Sequence, residues 1–366
     1  MFECHGQVDC VSTDFSKAFD RVDHTILVHK LASLGFHGLL LQWIVSYLYC
    51  RAQYVVINGF KSRCINVTSG VPQGSHLGPL FFSLFINDIG LSLSSHFLLY
   101  ADDMKIYRSI SNQHDSHCLQ QDLDQIYNWC HINNLHLNFN KCTVMSFTRK
   151  SFNLNFVYKL GDHTLKRVTC IKDLGVLFDT ELTFVEHIHS IVRKSFQLLG
   201  FIRRISHGFN KQALVHLYSS LIRSRLEYCC IVWSPFYNNH VSSLQRVQNK
   251  FIKFTQFLDM DITLPDLDQR RQEQDMNFLW KLLHNKVSSP SLLGNVNLVA
   301  RDTSVNLRTH HLFHCPFSAT NYRKNSPLRR MMGFYNVCVE RDHKIDIVAD
   351  SLQVFKTAIK NINNSS

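Results

Sequence analysis

The sequence lacks the features of several common protein classes. Its 12 cysteines include no Cys-x-x-Cys pair, which argues against a zinc ribbon or a disulfide framework and favours reduced thiols in an intracellular protein. No run of about 18 apolar residues is uninterrupted, so we expect no membrane span. The first residues lack a basic segment followed by an apolar one, so we expect no secretory signal.

Acidic residues are scarce relative to basic ones. Lysine and arginine number 39 against 28 aspartates and glutamates, which gives a net charge of +11. This excess indicates an anionic partner, either nucleic acid or a membrane surface. A chain of 366 residues with 45% hydrophobic and 18% charged residues is typical of two or three globular domains.

Hydrophobic periodicity changes near residue 180. Before this point, short apolar runs alternate with helical patterns, and Asn58-Gly59 predicts a hairpin turn. After it, apolar residues at helical spacing predict helices at Thr183 to Ile205, Lys211 to Tyr228, Val241 to Phe257 and Leu264 to Lys286. The organisation is therefore an α/β part followed by a helical, basic part.

One pair of acidic residues lies between two β-like runs. Phe97 to Tyr100 and Met104 to Tyr107 predict a hairpin with Asp102-Asp103 at its bend, and Asp14 ends another predicted strand. Carboxylates in this arrangement provide the hard oxygen ligands with which a pair of divalent ions supports phosphoryl transfer. Taken alone, such a pair is more often an exposed acidic turn than a metal site.

Further segments accompany these aspartates in a fixed order. Asp14-Phe15-Ser16-Lys17-Ala18-Phe19-Asp20, Ser69-Gly70-Val71-Pro72-Gln73-Gly74-Ser75 and Tyr100-Ala101-Asp102-Asp103 resemble motifs A, B and C of reverse transcriptases. Asn138 to Cys142 and Lys172 to Val176 resemble motif D and the primer-grip region. The stretches Asp14 to Leu27, Gly70 to Asp88 and Tyr322 to Asn336 look like the Jockey-type branch of the non-LTR (LINE-like) retrotransposons.

This resemblance implies an α+β fold, a right-hand polymerase palm with an antiparallel sheet backed by helices. The implied domains are a palm with motifs A to E at residues 1–180, a helical thumb-like region at 181–287 and a helical extension at 288–366. In this family the fingers precede motif A. Because motif A begins at Asp14, we expect the fingers to be largely missing and the sequence to be the carboxy-terminal part of a polymerase reading frame.

The resemblance also assigns the metal ligands. Asp14, Asp102 and Asp103 would be catalytic and would hold two Mg²⁺ ions, with Mn²⁺ as a possible substitute. The family places an aromatic residue five positions after the catalytic aspartate, which fits Asp14 with Phe19 and does not fit Asp20. We therefore interpret Asp20 as a structural carboxylate that caps the next helix.

Four residues are expected to contact the nucleotide. Phe19 would pack where a ribose 2′-hydroxyl lies and so select deoxynucleotides, and a place in the ordinary core is an alternative that can hold at the same time. Gln73 and Gly74 resemble the loop next to the template base and incoming nucleotide. Lys141 would assist the leaving pyrophosphate, or it is a solvated lysine at a strand edge.

The predicted function is that of an RNA-directed DNA polymerase. Its partners would be an RNA template, a DNA primer, target DNA and deoxynucleoside triphosphates, with no membrane partner and an unassigned oligomeric state. Arg193, Lys194, Arg203 and Arg204 would bind the nucleic-acid backbone. The alternative is a truncated, inactive relic or a domesticated nucleic-acid-binding protein. In either case we expect an intracellular location, in the nucleus or the cytoplasm.

Overall fold

The computed structural model describes residues 6–149, 153–299 and 311–364. They form two compact units. The first comprises Met1–Ile171 and Asp179–Leu182, and the second comprises Lys172–Phe178 and Thr183–Ser366.

The strands are short except around the centre of the first unit. They are β1 (Gln7–Thr13), β2 (Arg51–Gln53), β3 (Val56–Ile57), β4 (Phe60–Lys61), β5 (Ile65–Val67), β6 (His96–Tyr100), β7 (Asp103–Ser109), β8 (Thr143–Thr148), β9 (Lys159–Leu160), β10 (His163–Thr164), β11 (Lys166–Arg167), β12 (Cys170–Asp173) and β13 (Val176–Asp179). A five-stranded sheet with the order β11-β8-β1-β7-β6 contains the longest of them.

Helices surround this sheet and make up most of the second unit. The helices of the first unit are α1 (His24–Ser33), α2 (Gly38–Leu48), α3 (Leu77–Ile86) and α4 (Gln113–Ile132), with 3₁₀ turns at Ala18–Asp20 and Asn87–Gly90. Those of the second unit are α5 (Val185–Ile205), α6 (Lys211–Leu217), α7 (Ser224–Glu227), α8 (Cys230–Trp233), α9 (Asn238–Phe257), α10 (Leu267–Leu283), α11 (Pro290–Leu293), α12 (Asn321–Lys324), α13 (Pro327–Arg341) and α14 (Leu352–Asn364).

Strand β1 occupies the middle of the large sheet. It pairs antiparallel with β7 on one side and β8 on the other, and β6 pairs antiparallel with β7. Only β11, among the strands described in this sheet, adds a parallel pairing, to β8. The predicted α+β class is therefore confirmed, with a largely antiparallel sheet backed by helices.

The predicted hairpin at Asn58-Gly59 is confirmed. Both residues have positive φ angles, 50° and 85°, which is the conformation of a two-residue turn between twisted strands. The turn joins β3 to β4, and the outer pair β2 and β5 extends the same hairpin.

The cap of helix α1 corrects one sequence-based expectation. The side chain of Asp23, not that of Asp20, accepts hydrogen bonds from the backbone N–H groups of Thr25 and Ile26. Asp23 directly precedes the first helical residue, where a carboxylate satisfies amides that have no partner within the helix. Asp20 is three residues too early for this role.

A lysine joins three helical segments of the first unit. The ammonium group of Lys30 in α1 lies 2.7 Å from a carboxylate oxygen of Asp88 and donates to the carbonyl of Phe85. The same Asp88 carboxylate accepts from the indole N–H of Trp129 in α4. Burial lowers the pKa of Lys30, while Asp88 partly offsets this effect. These bonds fix α1, α3 and α4 against one another beside the sheet.

The second unit has two apolar cores. One includes buried residues of α5, α6 and α9, such as Ile188, Leu214 and Phe251. The other includes buried residues of α10, α13 and α14, such as Leu279, Met331 and Phe355. The predicted helix from Lys211 to Tyr228 is confirmed, but its central turn, Tyr218–Arg223, is a π-helix between α6 and α7. In the described part of the chain, no helix has the length and apolarity needed to cross a membrane.

Candidate active site

Asp14 follows the last residue of β1, at the end of the sheet where the β6–β7 hairpin turns. The final pair of the β1–β7 register is Thr13 with Met104, and Asp103 pairs with Tyr100 across the turn. The residues just beyond Thr13 and Met104, Asp14 and Asp103, therefore lie at the same end of the sheet. Asp102 occupies the turn itself, next to Ala101 with its positive φ of 53°.

The carboxylates at this end of the sheet are the type of ligand that binds divalent metal ions. Magnesium takes oxygen ligands and is commonly held by one or two carboxylates, with water and substrate phosphates completing its shell. The side chain of Asp14 is 31% exposed and therefore accessible to such a ligand. Among the described residues, no three His, Cys, Asp or Glu side chains form a group that could hold a metal ion.

Lys141 lies at this site as well. Its ammonium nitrogen is 3.2 Å from a carboxylate oxygen of Asp14, and its side chain is 65% exposed. An ion pair so open to water contributes little to stability. The segment around it is anchored because the N–H of Asn138 donates to the carbonyl of Asp14, at 2.7 Å, and Ser16 donates to His136. The segments that resemble motifs A and D are therefore brought together.

Phe19 lies between the surface and the core. Its ring stacks on that of Phe82 in α3, with centroids 4.4 Å apart. It is half-buried and packs against the main apolar cluster of the first unit. Its carbonyl accepts a hydrogen bond from the N–H of Val71 at 2.9 Å. The ring thus has a packing role at the place where motif A meets the motif B loop.

Gly70 begins that loop in a conformation that only glycine adopts readily. Its φ is +84°, and a Cβ atom would lie 2.7 Å from the carbonyl oxygen of Asp20. Its own carbonyl lies within hydrogen-bond distance of two side chains, Arg51 at 2.7 Å and His24 at 2.8 Å. Sequence reasoning missed Arg51 and His24, because neither belongs to a charge cluster or a ligand-like spacing.

Gln73 and Gly74 form the exposed part of the loop. The side-chain amide of Gln73 donates to a carboxylate oxygen of Asp20 at 2.7 Å. Gly74 also has a φ of +84°, and no atom beyond the glycine and its two chain neighbours lies within 4 Å of the position where its Cβ would be. The loop therefore leaves open space beside Gly74, while Gln73 is attached to motif A.

The four predicted backbone-binding cations lie on α5 in the second unit and are exposed. Arg203 and Arg204 line a cavity of about 810 Å³ together with Phe254, and the Arg203 guanidinium lies over the Phe254 ring. Lys194 lines another cavity, of about 530 Å³, with Lys172 and Arg225. No acidic residue is among the described residues that line either cavity. Arg193 is not among the lining residues of these two cavities.

Comparison with known proteins identifies the family. A model of the family described as reverse transcriptase (RNA-dependent DNA polymerase) matches residues 4–202. The RNA-directed DNA polymerase from mobile element jockey of Drosophila melanogaster is 26% identical over 329 residues, which cover 84% of this chain and 36% of that protein. The probable RNA-directed DNA polymerase from transposon X-element of the same species is 30% identical, over 65% of this chain and 27% of that protein.

Among solved structures, a telomerase from Candida albicans in complex with a fragment of telomeric RNA is similar with a TM-score of 0.38. The two chains are 13% identical, and the similarity covers 75% of this chain and 43% of that one. The chain spans about a third of the length of the mobile-element polymerases that it matches. The family match extends over more than half of the chain and includes all three ordered motifs. The chain therefore belongs to the reverse transcriptase family, in the Jockey-type branch of the non-LTR retrotransposons.

Proposed function

We propose that this chain is the polymerase part of a non-LTR retrotransposon protein and transfers deoxynucleotides to a primer 3′-hydroxyl on an RNA template. The observation that carries the proposal is the position of Asp14, Asp102 and Asp103 at one end of the central sheet. Lys141 and the motif B loop are attached to the same motif A segment. An exposed acidic turn would not require Lys141 and the motif B loop to be attached to this segment.

Asp14, Asp102 and Asp103 would hold two Mg²⁺ ions, which Mn²⁺ could replace. Reverse transcriptases as a family depend on divalent metal, which when bound lowers the pKa of the attacking hydroxyl and neutralises charge on the leaving pyrophosphate. The chain's own contribution is to fix the carboxylates at the end of the sheet. Lys141 adds a positive charge next to Asp14, where it can bind a phosphate oxygen of the nucleotide.

Phe19, Gln73 and Gly74 would form the nucleotide pocket. The stacking of Phe19 on Phe82 leaves the ring little freedom to move away from an added hydroxyl. That rigidity supports selection of deoxyribose over ribose. The open space beside Gly74 would allow the backbone to approach the incoming nucleotide closely.

Residues 1–180 would act as the palm, residues 181–287 as a thumb-like region and residues 288–366 as an extension. Arg193, Lys194, Arg203 and Arg204 would bind the phosphate backbone of the RNA template, DNA primer and target DNA. The support is the net charge of +11 and two cavities whose described lining contains cations and no acids. An intracellular location is consistent with the buried thiols of Cys130, Cys142 and Cys338.

Primer extension tests the proposed activity. The full chain is incubated with an RNA template, a DNA primer, deoxynucleotides and Mg²⁺, beside the variants Asp102→Asn and Asp162→Asn. Asp162 is an exposed aspartate in the turn between β9 and β10 and serves as the matched control. We expect synthesis by the wild type and the control, and a loss of about 100-fold or more in Asp102→Asn.

Two results would contradict this proposal. Synthesis that is indifferent to Asp102→Asn would remove the metal assignment. Salt-dependent binding of primer–template without synthesis would instead favour an inactive or domesticated nucleic-acid-binding protein. Binding is measured by titration across salt concentrations, and replacing Arg203 and Arg204 by alanine should reduce the slope of log affinity against log salt by about 2.

A further inference from the structure

Asp20 joins the segment after Phe19 to the motif B loop at two points. One carboxylate oxygen accepts the side-chain N–H of Gln73 at 2.7 Å. The main-chain carbonyl of the same residue accepts the hydroxyl of Ser69 at 2.9 Å. Asp23 supplies the cap of α1, so the side chain of Asp20 is available for this contact. Asp20 is therefore bonded to the loop both before and after Gly70.

The carboxylate determines how the Gln73 amide is oriented. A carboxylate is an acceptor only, so the amide must present its nitrogen to Asp20. Its carbonyl oxygen then remains as an acceptor for a second partner. In the absence of Asp20, the exposed amide could rotate and present either its nitrogen or its oxygen. The contact thus fixes the amide nitrogen towards Asp20 and leaves the amide oxygen for another partner.

Backbone hydrogen bonds also link the segment around Phe19 to the motif B loop. The N–H of Val71 donates to the carbonyl of Phe19, and the N–H of Gly70 donates to the carbonyl of Val22 at 2.8 Å. The missing Cβ of Gly70 permits the close approach to Asp20. Phe19 and Gln73 are therefore held in one hydrogen-bonded unit, in which Asp20 directly follows Phe19.

We propose that Asp20 is a positioning residue that orients Gln73 for the incoming nucleotide. The inference rests on the proposed function, because it takes Gln73 to line the nucleotide pocket. Asp20 acts on the substrate only through Gln73. Its removal should weaken nucleotide binding and leave the chemical step, which depends on Asp14 and Asp102, close to that of the wild type.

Steady-state primer extension on poly(rA) with an oligo(dT) primer separates these effects. We expect Asp20→Ala to raise the KM for dTTP about tenfold, from loss of one charge-assisted hydrogen bond, with kcat within about twofold of the wild type. Asp20→Asn should have an intermediate KM, because its amide oxygen can accept the same bond but its N–H group can also donate to the Gln73 oxygen. The double variant Asp20→Ala with Gln73→Ala should be no worse than Gln73→Ala alone.

Three outcomes overturn the inference. The first is an Asp20→Asn variant with a KM as high as that of Asp20→Ala. The second is a double variant in which the effects of the two single substitutions multiply. The third is an Asp20→Ala variant that loses kcat with no change in KM. Asp162→Asn is the control for removal of a negative charge, and circular dichroism checks the fold of each variant.

Failure of the proposed function would be recognised separately, as absence of synthesis by the wild-type chain. Equilibrium dialysis of labelled dTTP with Mg²⁺ then decides the role of Asp20. Weaker binding in Asp20→Ala and Gln73→Ala, with intermediate binding in Asp20→Asn, supports it. Equal binding by all four proteins, or none by the wild type, overturns it.

Discussion

Strand β1 has an aspartate near each end, and the two have opposite surroundings. Asp9 is fully buried and accepts hydrogen bonds from Gln7, Ser146 and Tyr158, while Arg167 lies 3.8 Å away. Asp14 is partly exposed and lies 3.2 Å from the ammonium nitrogen of the exposed Lys141 side chain. A buried carboxylate needs such partners because desolvation penalises its charge. An exposed one retains lone pairs for a ligand.

The difference separates the structural role of Asp9 from the chemical role proposed for Asp14, five positions later. The partners of Asp9 come from β1, β8, β11 and the segment before β9, so its network connects neighbouring strands. The site around Asp14 lies at the open end of the same strands. We therefore expect substitutions at Asp9 to act on stability and those at Asp14 to act on catalysis.

The largest expected effect is that of Asp14→Asn on primer extension. Removing a proposed metal ligand should lower kcat by about 1,000-fold, equivalent to about 4 kcal/mol of transition-state stabilisation. Stability should change by less than about 0.5 kcal/mol, because an exposed ion pair contributes little. Urea unfolding measures the second quantity. A strongly destabilised Asp14→Asn variant would erase the contrast with Asp9.

Asp9→Asn should give the reverse result. The amide preserves the volume of the side chain, but Arg167 loses its charge partner. In addition, the N–H group of the new amide faces side chains that donate hydrogen bonds to Asp9 in the wild type. We expect a loss of about 3 kcal/mol in the free energy of unfolding. Activity per folded molecule should be unchanged, which active-site titration with primer–template can establish. A catalytic defect in fully folded Asp9→Asn would contradict the division of roles.

A buried histidine extends the comparison to the second unit. His187 accepts the N–H of Leu177 at its Nδ1 and packs edge-on against Trp233. Burial, together with the charge of Lys194, lowers the pKa of His187 to about 4. Because the unfolded chain binds a proton near pH 6.5, stability is present above that pH and is lost as the pH falls towards 4.

This change should amount to roughly 2–3 kcal/mol between pH 7 and pH 4.5. Urea unfolding followed by tryptophan fluorescence across this range measures it. His187→Phe should flatten the pH dependence, and the exposed His216→Gln should leave it as in the wild type. An unaltered slope in His187→Phe would show that other groups dominate the acid sensitivity.

The smallest expected effect concerns one of the hydrogen bonds that Asp9 accepts. Tyr158→Phe removes one hydroxyl that donates to the buried carboxylate at 2.8 Å. We expect a loss of about 1 kcal/mol in the free energy of unfolding, since Gln7 and Ser146 still satisfy Asp9. Burial and the nearby Asp9 charge raise the pKa of the Tyr158 hydroxyl, so it stays protonated at neutral pH. A larger loss would indicate that the network is strongly cooperative.

Much of the local structure could be predicted because it depends on nearby residues. The Asn58-Gly59 turn needs two positive φ angles, which these two residue types tolerate. Helix α5 follows from apolar residues at helical spacing, and it spans Val185–Ile205 where the pattern indicated Thr183 to Ile205. The π-helix at Tyr218–Arg223 was not predictable, because helical spacing does not distinguish one extra residue in a turn.

The roles of the aspartates were likewise predictable only in part. The ordered motifs were sufficient to assign the family and to single out Asp14, Asp102 and Asp103. The sequence suggested that Asp20 caps a helix, since a carboxylate just before an apolar helix is typical of a cap. The actual cap is Asp23, and the partner of Asp20 is Gln73, 53 residues away. Such a contact depends on how the loop folds back onto motif A.

By itself, the sequence determined the family, the order of strands and helices, and the carboxylates proposed to bind metal. The strands and helices depend on residue types at short spacings, whereas the family and the carboxylates follow from three ordered motifs that resemble those of reverse transcriptases. Only the tertiary structure decided that Asp9 is hydrogen-bonded in the core, that Lys141 lies beside Asp14, and that Asp20 holds Gln73. Each of these depends on which distant segments the packing of the sheet and helices brings within hydrogen-bond distance.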